Sequence, residues 1–243
     1  MKKGGKILAD VLFAVLTQAK PGVSELELND LAEQLIRKHE GAIPGFQRVP
    51  GWEHAICIST NDVIVHGIPT NYKLKEGDIV GVDCGVYLEG FNTDMSESII
   101  VGNVKHDENY KEKELFLETG KRALNEAIAQ VRPGNRIGHI SRTIQSIVEN
   151  AGYSVVRNLI GHGVGKDLHE EPEIPGYITK SIDKTLLLKP GMTIAVEVIY
   201  NMGKKAMMYD KDGWTIRTKD RSLSGLFERT VAVTETGHEI LTK

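Results

Sequence analysis

Residues 79–101 read IVGVDCGVYLEGFNTDMSESIIV, a stretch that patterns as a β-hairpin yet carries two aspartates where apolar side chains would be expected. Val80, Val82, Cys84 and Val86 alternate with Gly81, Asp83 and Gly85, and Glu89-Gly90 supplies a two-residue turn into a returning run that ends in β-branched residues. With an even number of residues in the loop, Asp83 and Asp94 share one face of the ladder, opposite or diagonal to each other. Like charges ~5 Å apart repel by roughly 3 kcal/mol at an effective dielectric of about 20, so the pair calls for a bound cation. Taken alone, such a pair is more often two aspartates on a solvated strand, and the rest of the chain has to decide.

The 243 residues, 40% of them hydrophobic, suffice for a buried core without a structural staple. A net charge of -3 and a pI near 6.3 give no field that would draw nucleic acid or an anionic membrane. Cys57 and Cys84 both sit in strand-like runs and are expected as reduced, buried thiols rather than a disulfide. Lys2, Lys3 and Lys6 ahead of an apolar run imitate an export signal, but Asp10 interrupts it. Ile7, Leu8, Val11, Leu12, Val15 and Leu16 recur at helical spacing instead, and no run is long enough to span a bilayer.

Along the chain, Lys20-Pro21-Gly22 makes a turn, and Ser24 with Glu27 has capping-box spacing for a second helix ending near Gly41. HAICISTNDVIVHGIP, residues 54–69, reads as a hairpin turning at Asn61-Asp62, and the hairpin with Asp83 and Asp94 follows. The order then repeats. Glu112–Val131 and Ile137–Asn150 are helical patterns around Arg132-Pro133-Gly134, Asp212-Gly213 signals a further hairpin, and Glu228–Thr234 is a last strand. LKEG leading to Val82-Asp83 matches LKPG leading to Val196-Glu197 at a constant offset of 114 residues. Two copies of one helix, helix, hairpin, hairpin unit about an approximate two-fold axis are expected, packed face to face so that Asp83 and Asp94 meet Glu197 and Glu228. No Pro-, Gly- or Ser-rich linker divides them, which predicts one intertwined domain over 1–243.

Four carboxylates at one place are balanced by two divalent cations. His162, in the run Gly161-His162-Gly163-Val164-Gly165, is a further candidate ligand because the flanking glycines let backbone approach closely. Oxygen ligands with one imidazole suit Mn, Fe(II), Co or Zn. The glycine run lacks the Lys-Ser/Thr of a P-loop and the spacing of a dinucleotide fingerprint. His169-Glu170-Glu171-Pro172 is no zincin helix, since a second histidine is missing four residues on and Pro172 opposes a helix.

NDVIVHGIP, LKEGDIVGVDCGVYLEGFNTD, GHGVGKDLHEEP, LKPGMTIAVE and DGWTIRTKDRSLSGLFERTVAVT cover almost the whole chain and together are highly specific. In this order they resemble the methionine aminopeptidases of the short, type I form. Those belong to a wider group that also holds Xaa-Pro aminopeptidases and proline dipeptidases. The resemblance implies an α/β (α+β) pita-bread fold, two αβ halves at about 1–105 and 106–243 with antiparallel sheet and outer helices. It implies two divalent ions (Co, Mn, Fe or Zn), with Asp83 on one, His162 and Glu197 on the other, and Asp94 and Glu228 bridging both. Water activated between ions ~3.5–4 Å apart would attack the first peptide carbonyl, and Glu197 would take up its proton. His169 would stabilise the tetrahedral intermediate and His66 would touch the scissile amide.

By the same resemblance Phe46, Trp52, Cys57, Leu168 and Trp214 form the apolar pocket for methionine, while ordinary core packing would also account for them. The implied substrate is the N-terminal methionine of nascent polypeptides with a small second residue, cut in the cytoplasm by a monomer that approaches the ribosome transiently. No nucleic acid and no membrane are involved. Three positions depart from the family: Val198 where proline is usual, Arg229 where histidine is usual, and Leu168 in place of an aromatic residue. A proline-specific peptidase and a catalytically silent pita-bread binding protein are the alternatives. The five retained ligands weigh against the second of these.

Overall fold

The computed structural model describes residues 1–103 and 109–243, so the boundary expected between the halves, at 105 and 106, lies outside the described residues. The first half runs α1 (Lys2–Gln18), α2 (Glu25–Arg37), β1 (Ile43–Pro44), β2 (Ile56–Thr60), β3 (Val63–Val65), β4 (Ile79–Leu88) and β5 (Phe91–Ile100). The second opens with α3 (Tyr110–Ile128), α4 (Ile137–Asn150), β6 (Ser154–Val155), β7 (Gly161–Gly163) and β8 (Glu170–Ile174). It closes with β9 (Thr193–Asn201), β10 (Met207–Tyr209), β11 (Ile216–Thr218), β12 (Ser224–Val233) and β13 (His238–Ile240).

The basic start of the chain is a packed helix: α1 buries Ile7, Leu8, Val11, Leu12, Val15 and Leu16 against β4 and β5. Each such leucine contributes ~1.5–3 kcal/mol by leaving water. The capping box that opens α2 is formed in both directions, Ser24 Oγ accepting the Glu27 N–H at 3.3 Å and Glu27 accepting the Ser24 N–H at 2.7 Å. β4 and β5 pair through the Glu89-Gly90 turn, whose φ values of 50° and 91° are the left-handed pair a two-residue hairpin needs. The register sets Asp83 opposite Ser96 and Asp94 opposite Gly85, so the two aspartates are diagonal neighbours on one face.

One antiparallel sheet runs β1-β4-β5-β12-β9-β7-β8, with β2 also on β4, β6 on β9 and β13 on β12. The halves join edge to edge where β5 pairs with β12, not face to face as expected from the sequence. Each strand would otherwise leave a row of backbone donors and acceptors unpaired, and pairing them with each other satisfies both edges. The internal repeat extends to its hydrogen bonds. Gly77 N–H donates to Val101 and Gly191 N–H to Val233, with φ of 83° and 89°, and the isolated bridge Ser24 to Lys73 has its counterpart in Arg136 to Leu187.

The hairpin expected over residues 54–69 does not form a ladder: β2 pairs with β4, whereas β3 pairs with β11 in a separate sheet of order β10-β11-β3. Asn61, at φ 56°, accepts the Ile79 N–H at 3.0 Å and donates to Asp78 at 2.8 Å. That ties the turn to the start of β4 and sends the next residues elsewhere, and the 2.8 Å contact of Asp62 with Arg217 holds them on β11. The Asp212-Gly213 signal does join β10 to β11, and β12 begins at Ser224 rather than Glu228.

Two apolar cores lie on the helical face of the sheet, one under α1 and α2 with Val82, Cys84 and Val86, the other under α3 and α4 with Val196, Val198 and Phe227. By strand alternation the acidic residues occupy the opposite face. There the small sheet packs Ile64, Val65 and Ile216 against Ile199 of β9 and Leu226 of β12 in a third apolar cluster.

Candidate metal centre

Strand registers place Asp83, Ser96, Glu228 and Glu197 in one row across β4, β5, β12 and β9. Asp94 lies one step along β5 on the same face, and His162 on β7 pairs with Ala195, a diagonal neighbour of Glu197. Two glycines let β7 fit there: a Cβ on Gly161 would stand 2.5 Å from the Ala195 carbonyl oxygen, and one on Gly163 within 2.2 Å of that of Glu171. His169 follows at the mouth, its ring 4.5 Å from that of His162. Glu170 begins a strand, in keeping with the rejected zincin helix.

Oxygen or nitrogen atoms of Asp94, His162 and Glu228 lie within 4.8 Å of one another, while Asp83 and Glu197 line the same cavity outside that group. Burial pushes all four carboxyls up, Asp83 to about 7, Glu197 to about 8, and Asp94 and Glu228 well above the usual carboxylate range. Coulombic repulsion adds to the rise, from Asp83 on Glu197 and Asp94, and from Asp94 on Glu228. Burial thus favours the protonated acids wherever no cation balances their charge. The His162 Nδ1–H donates to its neighbour Gly163 at 2.8 Å, which leaves Nε2 with the lone pair facing outward. Burial and then the nearby His169 push His162 down to about 4, so the imidazole is neutral at neutral pH.

These residues fit a divalent ion. One oxygen of Asp83 is buried without a hydrogen-bond partner, an arrangement that is costly unless a cation completes it. The donor set of carboxylate oxygens with one imidazole suits Mn, Fe, Co or Zn. Both cysteines are free and buried, and burial holds their thiols well above the ordinary value, so neither supplies a thiolate. Cys84 faces the helical core, whereas Cys57 faces the cavity.

That cavity, of about 330 Å³, brings together every residue singled out for the site in the sequence. Phe46, Trp52 and Cys57 form an apolar cluster with Leu168 and Trp214 at its edge, and Trp52 meets Trp214 edge-on at 5.3 Å. His66 sits in the left-handed region at φ 54° and is lowered by burial and by His169; His169 is lowered by burial. The sequence reading missed Val49, Val65, Asn158, Leu159, Ile160, Ile199 and Leu226 in the lining. Strand period alone could have found two of them, because Ile199 lies two residues beyond Glu197 and Leu226 two before Glu228, on the same face.

Of the three departures, Val198 continues the β9 ladder opposite Phe227 without irregularity. Arg229 points to the helical face and bonds Glu97 at 2.6 Å, so its guanidinium does not enter the acidic cavity. Leu168 keeps an apolar side chain at the rim.

A family model described as metallopeptidase family M24 matches residues 1–235. Methionine aminopeptidase 1 of Bacillus subtilis is 42% identical over the whole chain and 95% of its own length. The Escherichia coli methionine aminopeptidase is 40% identical over the whole chain and 89% of its length. The crystal structure of the Rickettsia prowazekii methionine aminopeptidase superposes with a TM-score of 0.94 at 39% identity, covering 100% of this chain and 95% of that one. With prolidase from Pyrococcus horikoshii the TM-score is 0.76 at 24% identity, a likeness of fold, and the mixed α/β architecture is the pita-bread fold these structures share. A buried acid and imidazole cluster that fits a divalent ion, in this fold and with these relatives, has one meaning: the chain belongs to metallopeptidase family M24 and, within it, to the methionine aminopeptidases.

Proposed function

We propose that this chain removes the N-terminal methionine from nascent polypeptides with a small second residue, using two divalent ions held by Asp83, Asp94, His162, Glu197 and Glu228. One observation carries the reading: the cavity that holds the clustered Asp94, His162 and Glu228 has as its other wall the apolar group of Phe46, Trp52, Cys57, Leu168 and Trp214. Acid row and apolar wall together suit a chain end that is charged at its amino group and apolar in its side chain.

When bound, the ions supply Lewis-acid polarisation of the scissile carbonyl and a water of lowered pKa. The protein does the rest. With cations in place of its own proton, Glu197 would be the carboxylate that accepts a proton and returns it to the leaving amine. His169 and His66, both lowered from the ordinary histidine value, are neutral donors beside the carbonyl, where a hydrogen bond to developing charge counts most. The indoles of Trp52 and Trp214 enclose the methionine side chain and exclude water from it.

In this reading both halves act as one catalytic unit, since each contributes acids to the row. No helix among the described residues is long and apolar enough to cross a membrane. The proposed work is in the cytoplasm, by a monomer that approaches the ribosome transiently. The test is methionine release from Met-Ala-Ser with and without Mn, in the native chain and in Asp94→Ala. Metal-dependent release that Asp94→Ala abolishes is expected, and cleavage of Ala-Pro peptides in place of Met-Ala would assign the site to proline-specific chemistry.

A further inference from the structure

Arg229 follows Glu228 on β12 and projects from the other face of the sheet, away from the acids. Its guanidinium makes three bonds: Nη1 donates to the Ser96 carbonyl at 3.0 Å and to the Glu228 carbonyl at 2.7 Å, and Nη2 donates to Glu97 at 2.6 Å. Ser96 and Glu97 belong to β5 and Glu228 to β12, so one side chain holds both edges of the junction between the halves. Glu97 is itself held. Its side chain is only 8% exposed, and its other oxygen takes Lys121 of α3 at 3.1 Å.

The junction it spans is thin. Only Glu228 with Ser96 and Arg229 with Met95 are in ladder register between β5 and β12. On one flank Thr230 Oγ1 accepts the Asp94 N–H at 2.9 Å and donates to the Asp94 carbonyl at 2.8 Å, in place of direct backbone pairing. On the other, Ser98 Oγ accepts the Leu226 N–H at 3.0 Å and donates to its carbonyl at 2.8 Å. Asp94 and Glu228, the two acids that cluster with His162, stand on opposite sides of this seam.

We propose that Arg229 is a positioning residue for the metal centre: anchored by Glu97, it staples β12 to β5 and so sets the spacing between Glu228 and Asp94. The inference rests on the reading of that cluster as a metal site. A planar guanidinium is needed because its nitrogens reach two carbonyls and a carboxylate at once, whereas an ammonium at the end of a lysine reaches one or two.

The experiment measures Mn²⁺ binding by titration calorimetry in the metal-free native chain, Arg229→Met, Arg229→Lys, Glu97→Gln and Asp94→Ala, each with a melting curve in chelator. Native binding and its loss in Asp94→Ala establish the site. Arg229→Met is then expected to bind Mn²⁺ about tenfold more weakly, with Arg229→Lys and Glu97→Gln in between, as for loss of a partner that orients a ligand. The Mn²⁺ concentration for half-maximal methionine release shifts by the same factor. A purely structural role lowers the melting temperature and leaves the affinity of the folded protein in place, so folded Arg229→Met that binds within twofold of native overturns the proposal. Should Arg229→Met not fold, Glu97→Gln decides, and native affinity in that variant overturns it equally. If the native chain binds no better than Asp94→Ala, the metal reading itself has failed, and the inference with it.

Discussion

At Asp83, Asp94, Glu197 and Glu228 burial raises the folded-state pKa above the unfolded value of about 4, so the metal-free fold keeps protons that the unfolded chain gives up. The stability linked to those protons is fully present below about pH 4. It is lost as pH rises through the folded values, about 7 at Asp83 and about 8 at Glu197. In chelator the native chain is therefore expected to lose melting temperature between about pH 5 and 8 relative to Glu197→Gln, whose amide has no proton to lose. Parallel melting curves over that range would show that the acids titrate normally. Metal reverses the trend, because an ion that displaces protons binds more tightly as pH rises, and calorimetry in buffers of different ionisation heat reads the protons released. His162→Ala removes the neutral imidazole of the cluster and is expected to weaken Mn²⁺ binding by at least about tenfold.

Elements contribute precision, and two of them separate stability from chemistry. Ser24→Ala removes the capping hydroxyl of α2, a residue that does not line the acidic cavity; a loss of about 1 kcal/mol in urea unfolding with unchanged Mn²⁺ affinity is expected. Thr230→Val removes both hydroxyl bonds to Asp94 at the seam and leaves a buried N–H and carbonyl short of partners, at a cost of roughly 1–3 kcal/mol. Because those bonds hold Asp94 itself, this variant also loses metal affinity, in contrast to Ser24→Ala. Much at this scale could be read directly. The capping box, the Glu89-Gly90 turn, the bounds of α4 and the glycines around His162 each follow from residues a few positions apart. The hairpin over 54–69 misled because Asn61 spends its side chain on Asp78 and Ile79, a contact that alternation cannot reveal.

For the whole molecule, the proposed ions between acids of both halves would act as a bolt across the β5–β12 seam. Mn²⁺ at 100 times its dissociation constant should stabilise the chain by ~2.7 kcal/mol. That raises the melting temperature by roughly 5–10 °C for a protein of this size. Scanning calorimetry should show no such rise in Asp94→Ala. The sequence alone determined that Asp83 and Glu197 fall at matching places in two repeated units, with Asp94 and Glu228 on the strands that follow, because side-chain alternation and turn chemistry are local properties of the chain. Tertiary structure decided that β5 and β12 meet edge to edge, that β3 leaves β2 for β11, that Arg229 turns from the acids to Glu97, and that residues 158–160 reach the cavity. Each of these depends on a partner many residues away. Which partner a strand edge, a guanidinium or a loop finds is settled by what the packed sheet leaves within reach.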